Sequence, residues 1–205
     1  MARRALKHLA ALARVCARAA RGSERPLTRD LRRALATGVP AADLREALLQ
    51  TYLFAGFPRA ISALTLLDRE APGPAGIPRE RRQDPAAWRR RGERLCRAIY
   101  GPDYPAMMKN MIRAHPDLAD WILVEGYGKT LARPFLTARE RELLVVPTLA
   151  ALGAWRQLPS HLRGAMRCGA TPAEISSVLA AQEGAIPAKS LARASLEAAR
   201  ARRRI

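Results

Sequence analysis

Two residues in the C-terminal half of the sequence, Glu142 and His161, could together transfer a proton. Glu142 lies in the run TARERELLVVPTLAAL and His161 in the run QLPSHLRGAMRCG. A carboxylate beside an imidazole holds the ring in one tautomer and raises its basicity. Such a pair can move a proton to and from a carbon next to a carbonyl or lactone group. Taken singly, the default interpretations are a solvated glutamate and a structural histidine, so the hypothesis depends on the pairing.

Helix signals surround both residues, but their spacing does not bring them together. Thr137 with Glu140 and Thr171 with Glu174 have the spacing of capping boxes. Glu142 precedes the predicted turn by about eleven residues, or ~16 Å of helix, whereas His161 follows it by only a few. A plain antiparallel hairpin therefore leaves the two residues offset. Contact requires a steep helix crossing, a bend at Pro147 or a neighbouring subunit.

The composition predicts a single all-α domain over residues 1–205. Apolar residues make up 49% of the chain and aromatic residues only 5%, while Ala, Leu and Arg dominate. This mixture favours helices, and no segment alternates with period two for long enough to indicate a strand.

A weak internal repeat divides this domain. Residues 31–64 and 162–194 both read as helix, glycine stop, helix, proline start, helix. We therefore predict an N-terminal degenerate repeat at residues 1–70, a connector at 71–85 and a C-terminal half at 86–205. Asp30 stands where the first repeat would carry its histidine, without a glutamate at the matching spacing before it, so this half is expected to lack the site. The aligned pairs are Leu31 and Leu162, Gly38 and Gly169, Asp43 and Glu174, and Pro58 and Pro187.

Charge and cysteine usage argue against several functions. The formal net charge is +18, but the arginines are scattered along the chain, with no nucleic-acid-binding motif or interleaved aromatic residues, which argues against nucleic-acid binding. The three cysteines are far apart, which argues against disulfides and zinc.

Apolar stretches are too short for a bilayer, so no membrane association is expected. Residues 1–23 could be a basic transit segment, but we favour a first structural helix and a cytoplasmic location. Short arginine runs occur at Arg79–Arg82, Arg89–Arg91 and Arg202–Arg204.

The order of these signals resembles the carboxymuconolactone decarboxylase family, which includes the alkylhydroperoxidase D-like proteins. Glu142 and His161 stand where that family carries its Glu and His. Residues 115–142 look like the lead-in to the family's conserved helix, and residues 54–64 look like its Gly-Phe-Pro helix start. The resemblance implies the helical alkylhydroperoxidase D-like fold and assembly of the chain with itself, as a homotrimer or a dimer.

The resemblance also distinguishes between the family's chemistries. In the peroxidase members a CxxC pair precedes the histidine, but here Ala154 and Gln157 occupy those positions. The decarboxylase members need neither thiols nor a cofactor, and their substrate is a carboxylated unsaturated lactone from aromatic-acid breakdown. The resemblance therefore implies a cofactor-free carboxy-lyase for a small organic acid, without a bound metal. Two alternatives stay open: a peroxidase using an atypical cysteine such as Cys168, and a non-catalytic binding or scaffold protein.

Arg133, in the run LARPFL, is a candidate for holding the substrate carboxylate. A guanidinium group binds a carboxylate through two parallel hydrogen bonds, which would fix the orientation of a small acid. The alternative interpretation is a surface arginine that precedes Pro134.

Overall fold

The computed structural model describes residues 4–73 and 84–202 of the chain, and these residues are almost entirely helical. They contain no β-strand, so the all-α prediction is confirmed within the described part of the chain. Helix α7 continues directly into a π-helical segment, Ile122–Leu131. The α-helices are α1 (Leu6–Arg21), α2 (Glu24–Ala36), α3 (Ala41–Gln50), α4 (Tyr52–Glu70), α5 (Pro85–Tyr100), α6 (Tyr104–Ala114), α7 (Pro116–Trp121), α8 (Ala138–Leu152), α9 (Leu158–Arg167), α10 (Pro172–Ala180) and α11 (Ala188–Arg202).

Helices α1 and α8 pack against each other in the main core, where α2, α3, α4, α9, α10 and α11 pack on one or both of them. Helices α5, α6 and α7 and the π-helical segment form a second cluster, which joins the main core through α5 and α9. Helix α8 is buried continuously from Glu140 to Ala150, so it has no solvated face. A helix enclosed on all sides must either be apolar throughout or find a partner for each polar side chain. The charged residues in the first turns of α8 are therefore inside the protein.

The helix ends predicted from the sequence are confirmed. The Thr137 hydroxyl accepts a hydrogen bond from the Glu140 amide, and the Glu140 carboxylate accepts one from the Thr137 amide at 2.9 Å. Thr171 and Glu174 form the same reciprocal box at the start of α10. Pro147 is accommodated within α8, which continues past it to Leu152.

Corresponding helices in the two halves end in the same way. Gly22 after α1 and Gly153 after α8 both adopt the left-handed backbone conformation, with φ of 69° and 70°. Gly38 after α2 and Gly169 after α9 are also left-handed, with φ of 84° and 93°. The same number of residues separates Gly22 from Gly153, Gly38 from Gly169 and Leu31 from Leu162. The α1–α2 pair and the α8–α9 pair thus have matching ends at matching intervals.

The predicted connector at residues 71–85 falls mostly on residues 74–83, which lie outside the described residues, as does the Arg79–Arg82 run. Its last residue belongs to a helix, because α5 begins at Pro85 and the Asp84 side chain accepts a hydrogen bond from the Ala87 amide at 3.0 Å. The division into repeat, connector and C-terminal half stays a prediction.

Candidate functional site

Glu142 from α8 and His161 from α9 are in direct contact. The His161 Nδ1 atom lies 2.8 Å from Glu142 Oε2. Gly164, one turn after His161, lies against the same carboxylate, because a Cβ atom added there would be 3.3 Å from Glu142 Oε2. Helix α9 therefore passes α8 at the level of Glu142, which the register of a side-by-side hairpin would not produce.

The pair is enclosed by protein. Glu142 is 1% exposed and His161 is 6% exposed. Glu142 is thus not the solvated glutamate that is the default for its residue type, because α8 is surrounded on all sides. A buried carboxylate needs a partner, and the imidazole of His161 provides one.

Each member of the pair keeps one polar atom unused. Glu142 Oε1 is buried and has no hydrogen-bond partner in the described part of the chain. The Nε2 atom of His161 makes no hydrogen bond to any described residue either. A buried carboxylate oxygen without a partner costs free energy, and in native proteins such atoms often have a functional explanation. The two free atoms are the ones that a bound substrate could contact.

Three other elements enclose the pair. Helix α4 places the ring of Phe54 edge-on to His161, with 5.9 Å between ring centroids. Helix α5 places Ile99 against Gly164, and the π-helical segment packs on α5. Tyr127 of that segment donates a hydrogen bond to the Tyr100 hydroxyl at 3.3 Å. The surroundings of the pair are therefore mainly aromatic and aliphatic.

Comparison with known proteins assigns this part of the chain to a family. Residues 117–201 match the sequence model of the carboxymuconolactone decarboxylase family, and this stretch contains both Glu142 and His161. This part of the chain belongs to the carboxymuconolactone decarboxylase family. The all-α structure is accordingly of the alkylhydroperoxidase D-like type.

Two relatives extend the similarity beyond the family region. The chain is 30% identical over 136 residues to Peroxisomal protein 2 of Schizosaccharomyces pombe, a match that covers 65% of this chain and 64% of the relative. It is 27% identical over 164 residues to Peroxisomal protein 2 of Saccharomyces cerevisiae, covering 67% of this chain and 58% of the relative. The chain thus spans less than two thirds of either relative. Both names refer to the peroxisome and neither states a reaction.

The thiols near the pair are protonated at neutral pH. Burial, with a smaller contribution from the Glu142 charge, raises the pKa of Cys96 to about 12. Burial and the same charge raise the pKa of Cys168 to about 12. Because the thiolate is the reactive form, this environment suppresses thiol chemistry at physiological pH.

Arg133 lies in a buried ion-pair network that the sequence did not reveal. Its Nε and Nη2 atoms donate to the two carboxylate oxygens of Glu46, at 2.8 and 3.2 Å. Arg141 Nη2 also donates to Glu46, at 2.7 Å, and both Glu46 and Arg141 are buried. Glu46 is in α3, far from Arg133 and Arg141 in the sequence, so no local pattern could identify it. The substrate-binding role of Arg133 stays a prediction, because a substrate carboxylate would have to compete with Glu46.

None of the described helices combines the length and hydropathy needed to cross a bilayer.

Proposed function

We propose that the protein is a cofactor-free lyase or isomerase of the carboxymuconolactone decarboxylase type, acting on a small carboxylated lactone or a related organic acid. Glu142 and His161 are its proton-transfer pair. The observation that carries this proposal is their 2.8 Å contact, made inside the family region with one polar atom of each residue left unused. The buried position supports it further, because electrostatic interactions are stronger where water is excluded.

The reaction needs only a proton donor at a fixed position. When the substrate decarboxylates, the bond between its carboxylate carbon and the lactone breaks, and CO2 leaves. The electron pair of that bond enters the conjugated lactone, and one proton is delivered to carbon. His161 Nε2 or Glu142 Oε1 delivers that proton, and the hydrogen bond between the two residues stabilises the charge that remains on the donor.

We propose that substrate entry involves movement near α4. His161 is only 6% exposed, and Phe54 lies edge-on to its ring. Two residues after Phe54, Gly56 has φ 81° and ψ 163° and interrupts the helix. Because glycine tolerates this conformation without a steric penalty, the interruption separates the first turn of α4 from its remainder. Displacement of this first turn would move Phe54 away from His161 and widen the access to the pair.

The second candidate is a non-catalytic binding or scaffold protein. It is favoured by the pairing of Arg133, the candidate for binding the substrate carboxylate, with Glu46. The names of the two relatives, which state no reaction, are compatible with it. The thiol-dependent peroxidase is disfavoured, because the pKa of Cys96 and that of Cys168 are both raised to about 12.

Turnover of carboxymuconolactone tests the proposal. We expect purified protein to release CO2 from it without added cofactor, and a Cys168→Ser variant to do so at an unchanged rate. A folded protein that releases no CO2 from this or related carboxylated lactones would favour the binding role. Peroxide turnover that is lost in Cys168→Ser would instead favour the thiol-dependent alternative.

Assembly and location are also proposals. We propose a homotrimer or dimer, which light scattering would detect as a multiple of the 22.5 kDa chain mass. The proposed cytoplasmic location is tested by fluorescence microscopy of the tagged protein, with peroxisomal fluorescence as the contrary result suggested by the relatives' names.

A further inference from the structure

A cavity of about 750 Å³ opens in the N-terminal half, away from the Glu142–His161 pair. Helices α1 and α2 form two of its walls, and the end of α10 and the turn after it form a third. The volume is in the range of small-molecule binding sites. Its charged or ionisable lining residues are Lys7, His8, Arg14, Asp30, Arg33 and Glu183.

This cavity occupies the position in the N-terminal half that corresponds to the candidate site in the C-terminal half. With the matching glycines as reference points, Ala11 corresponds to Glu142 and Asp30 to His161, and both line the cavity. In each half a glutamine from the opposite half contacts the backbone next to this position. Gln50 Nε2 donates to the Arg141 carbonyl at 3.4 Å, and Gln182 Nε2 donates to the Ala10 carbonyl at 3.3 Å.

The cavity is open because no described helix packs over α2 in the way that α5 packs over α9 beside the Glu142–His161 pair. In the C-terminal half, α5 packs on α9 and places Ile99 against Gly164. Arg33 holds the position on α2 that corresponds to Gly164, and it is exposed. No described helix covers α2 there as α5 covers α9. The space that is closed over the Glu142–His161 pair therefore stays accessible in the N-terminal half.

The chemistry of the cavity is different from that of the pair. Asp30 is 7% exposed, and its two oxygens lie 3.1 Å from Arg14 Nε and 2.9 Å from Arg18 Nε. Arg14 Nη1 also donates to the carbonyls of Ala181 and Glu183, at 3.1 and 2.9 Å. The charges of two arginines thus exceed that of the one buried carboxylate, and the guanidinium of Arg14 is fixed at the cavity wall.

Two further cations face this cavity without partners. Within residues 4–73 and 84–202, the side chains of Lys7 and Arg33 make no hydrogen bond or ion pair. Glu183 supplies one negative charge against them, so the lining keeps a positive excess. The +18 charge of the chain adds a long-range attraction for anions.

We propose that this cavity binds a small dianion of the carboxylate or phosphate class. Lys7 and Arg33 contact the anion, and Arg14, held by Asp30, contributes to the positive wall. The cavity lacks the carboxylate–imidazole pair, because Ala11 replaces the glutamate and Asp30 replaces the histidine. Its role is therefore binding, and it does not depend on catalysis by Glu142 and His161.

Isothermal titration calorimetry tests the proposal, with inorganic phosphate and succinate as probes at constant ionic strength. The test variant is Lys7→Ala with Arg33→Ala. The matched control is Arg25→Ala with Arg29→Ala, which removes the same charge from exposed positions of α2 that do not line this cavity. We expect at least a tenfold weaker Kd in the test variant and less than a twofold change in the control, as for loss of charge-assisted hydrogen bonds.

Two more variants separate this site from the candidate active site. Ala11→Glu places a negative charge in the cavity and is expected to abolish binding, whereas Glu142→Gln should leave the Kd unchanged. Binding of only one probe identifies the anion class. The proposal is overturned if neither probe binds wild-type protein, or if the test and control variants lose affinity equally, since that would reflect overall charge.

Discussion

Replacing Gly164 with alanine should destabilise the protein by a predictable amount. A Cβ atom at Gly164 would lie 2.6 Å from Ile99 Cγ2 and 3.3 Å from Glu142 Oε2. Carbon atoms in contact are normally ~3.5–4.0 Å apart, so Ile99 must move by about 1 Å. Overpacking of this kind costs about 1–3 kcal/mol. Alanine in place of glycine stabilises a helix by roughly 0.5–1 kcal/mol, so the expected net loss is about 0–2.5 kcal/mol.

Urea unfolding of Gly164→Ala, compared with Gly126→Ala, measures this cost. A Cβ atom at Gly126 would meet nothing within 4 Å, so that variant should be neutral or slightly more stable. Leucine at position 99 lacks the Cγ2 methyl group, so Ile99→Leu should relieve part of the loss in a double-mutant cycle. If Gly164→Ala were as stable as Gly126→Ala, the close packing of α5 and α9 around the candidate site would be refuted.

Three further predictions follow from buried groups and helix ends. Glu46→Gln should lower the free energy of unfolding by about 3–5 kcal/mol, because it leaves Arg141 buried without its carboxylate; a loss below about 1 kcal/mol in urea unfolding would contradict the network. Thr137→Ala should cost about 1 kcal/mol through loss of the capping box, and an unchanged melting temperature would argue against that cap. Cys96, with its pKa raised to about 12, has a smaller thiolate fraction at pH 8 than an unfolded thiol, so iodoacetamide should modify it at least ~10²-fold more slowly in the folded protein. The modification rate of folded protein should rise as the pH approaches 12. Peptide mass spectrometry measures the rate, and equal rates in folded and unfolded protein would contradict the burial of Cys96.

Local features of the fold were predictable, because each depends on a few neighbouring residues. The capping boxes at Thr137 and Thr171 and the glycine stops at Gly38 and Gly169 are set by hydrogen bonds within one helix end. The all-α class follows from composition and from the absence of period-two alternation.

The assembly of the candidate site could not be derived from local sequence. Spacing placed Glu142 and His161 out of register, and only the family resemblance implied their contact. The sequence around Arg141 has the charge pattern of an exposed helix start, but α8 is enclosed and Arg141 is 1% exposed. Its partner Glu46 is in α3, and the aromatic wall comes from α4, α5 and the π-helical segment. These contacts depend on how distant helices pack, which periodicity within one helix does not report.

The most direct test of the proposed function is a double-mutant cycle on carboxymuconolactone turnover, with Glu142→Gln, His161→Ala and the double variant compared at equal concentrations of folded protein. If the two residues act as one proton-transfer unit, each single variant should lower kcat by about 10²-fold or more. The double variant should then be little worse than the more impaired single variant. Folded single variants that keep wild-type turnover, or losses that multiply in the double variant, would contradict the proposal.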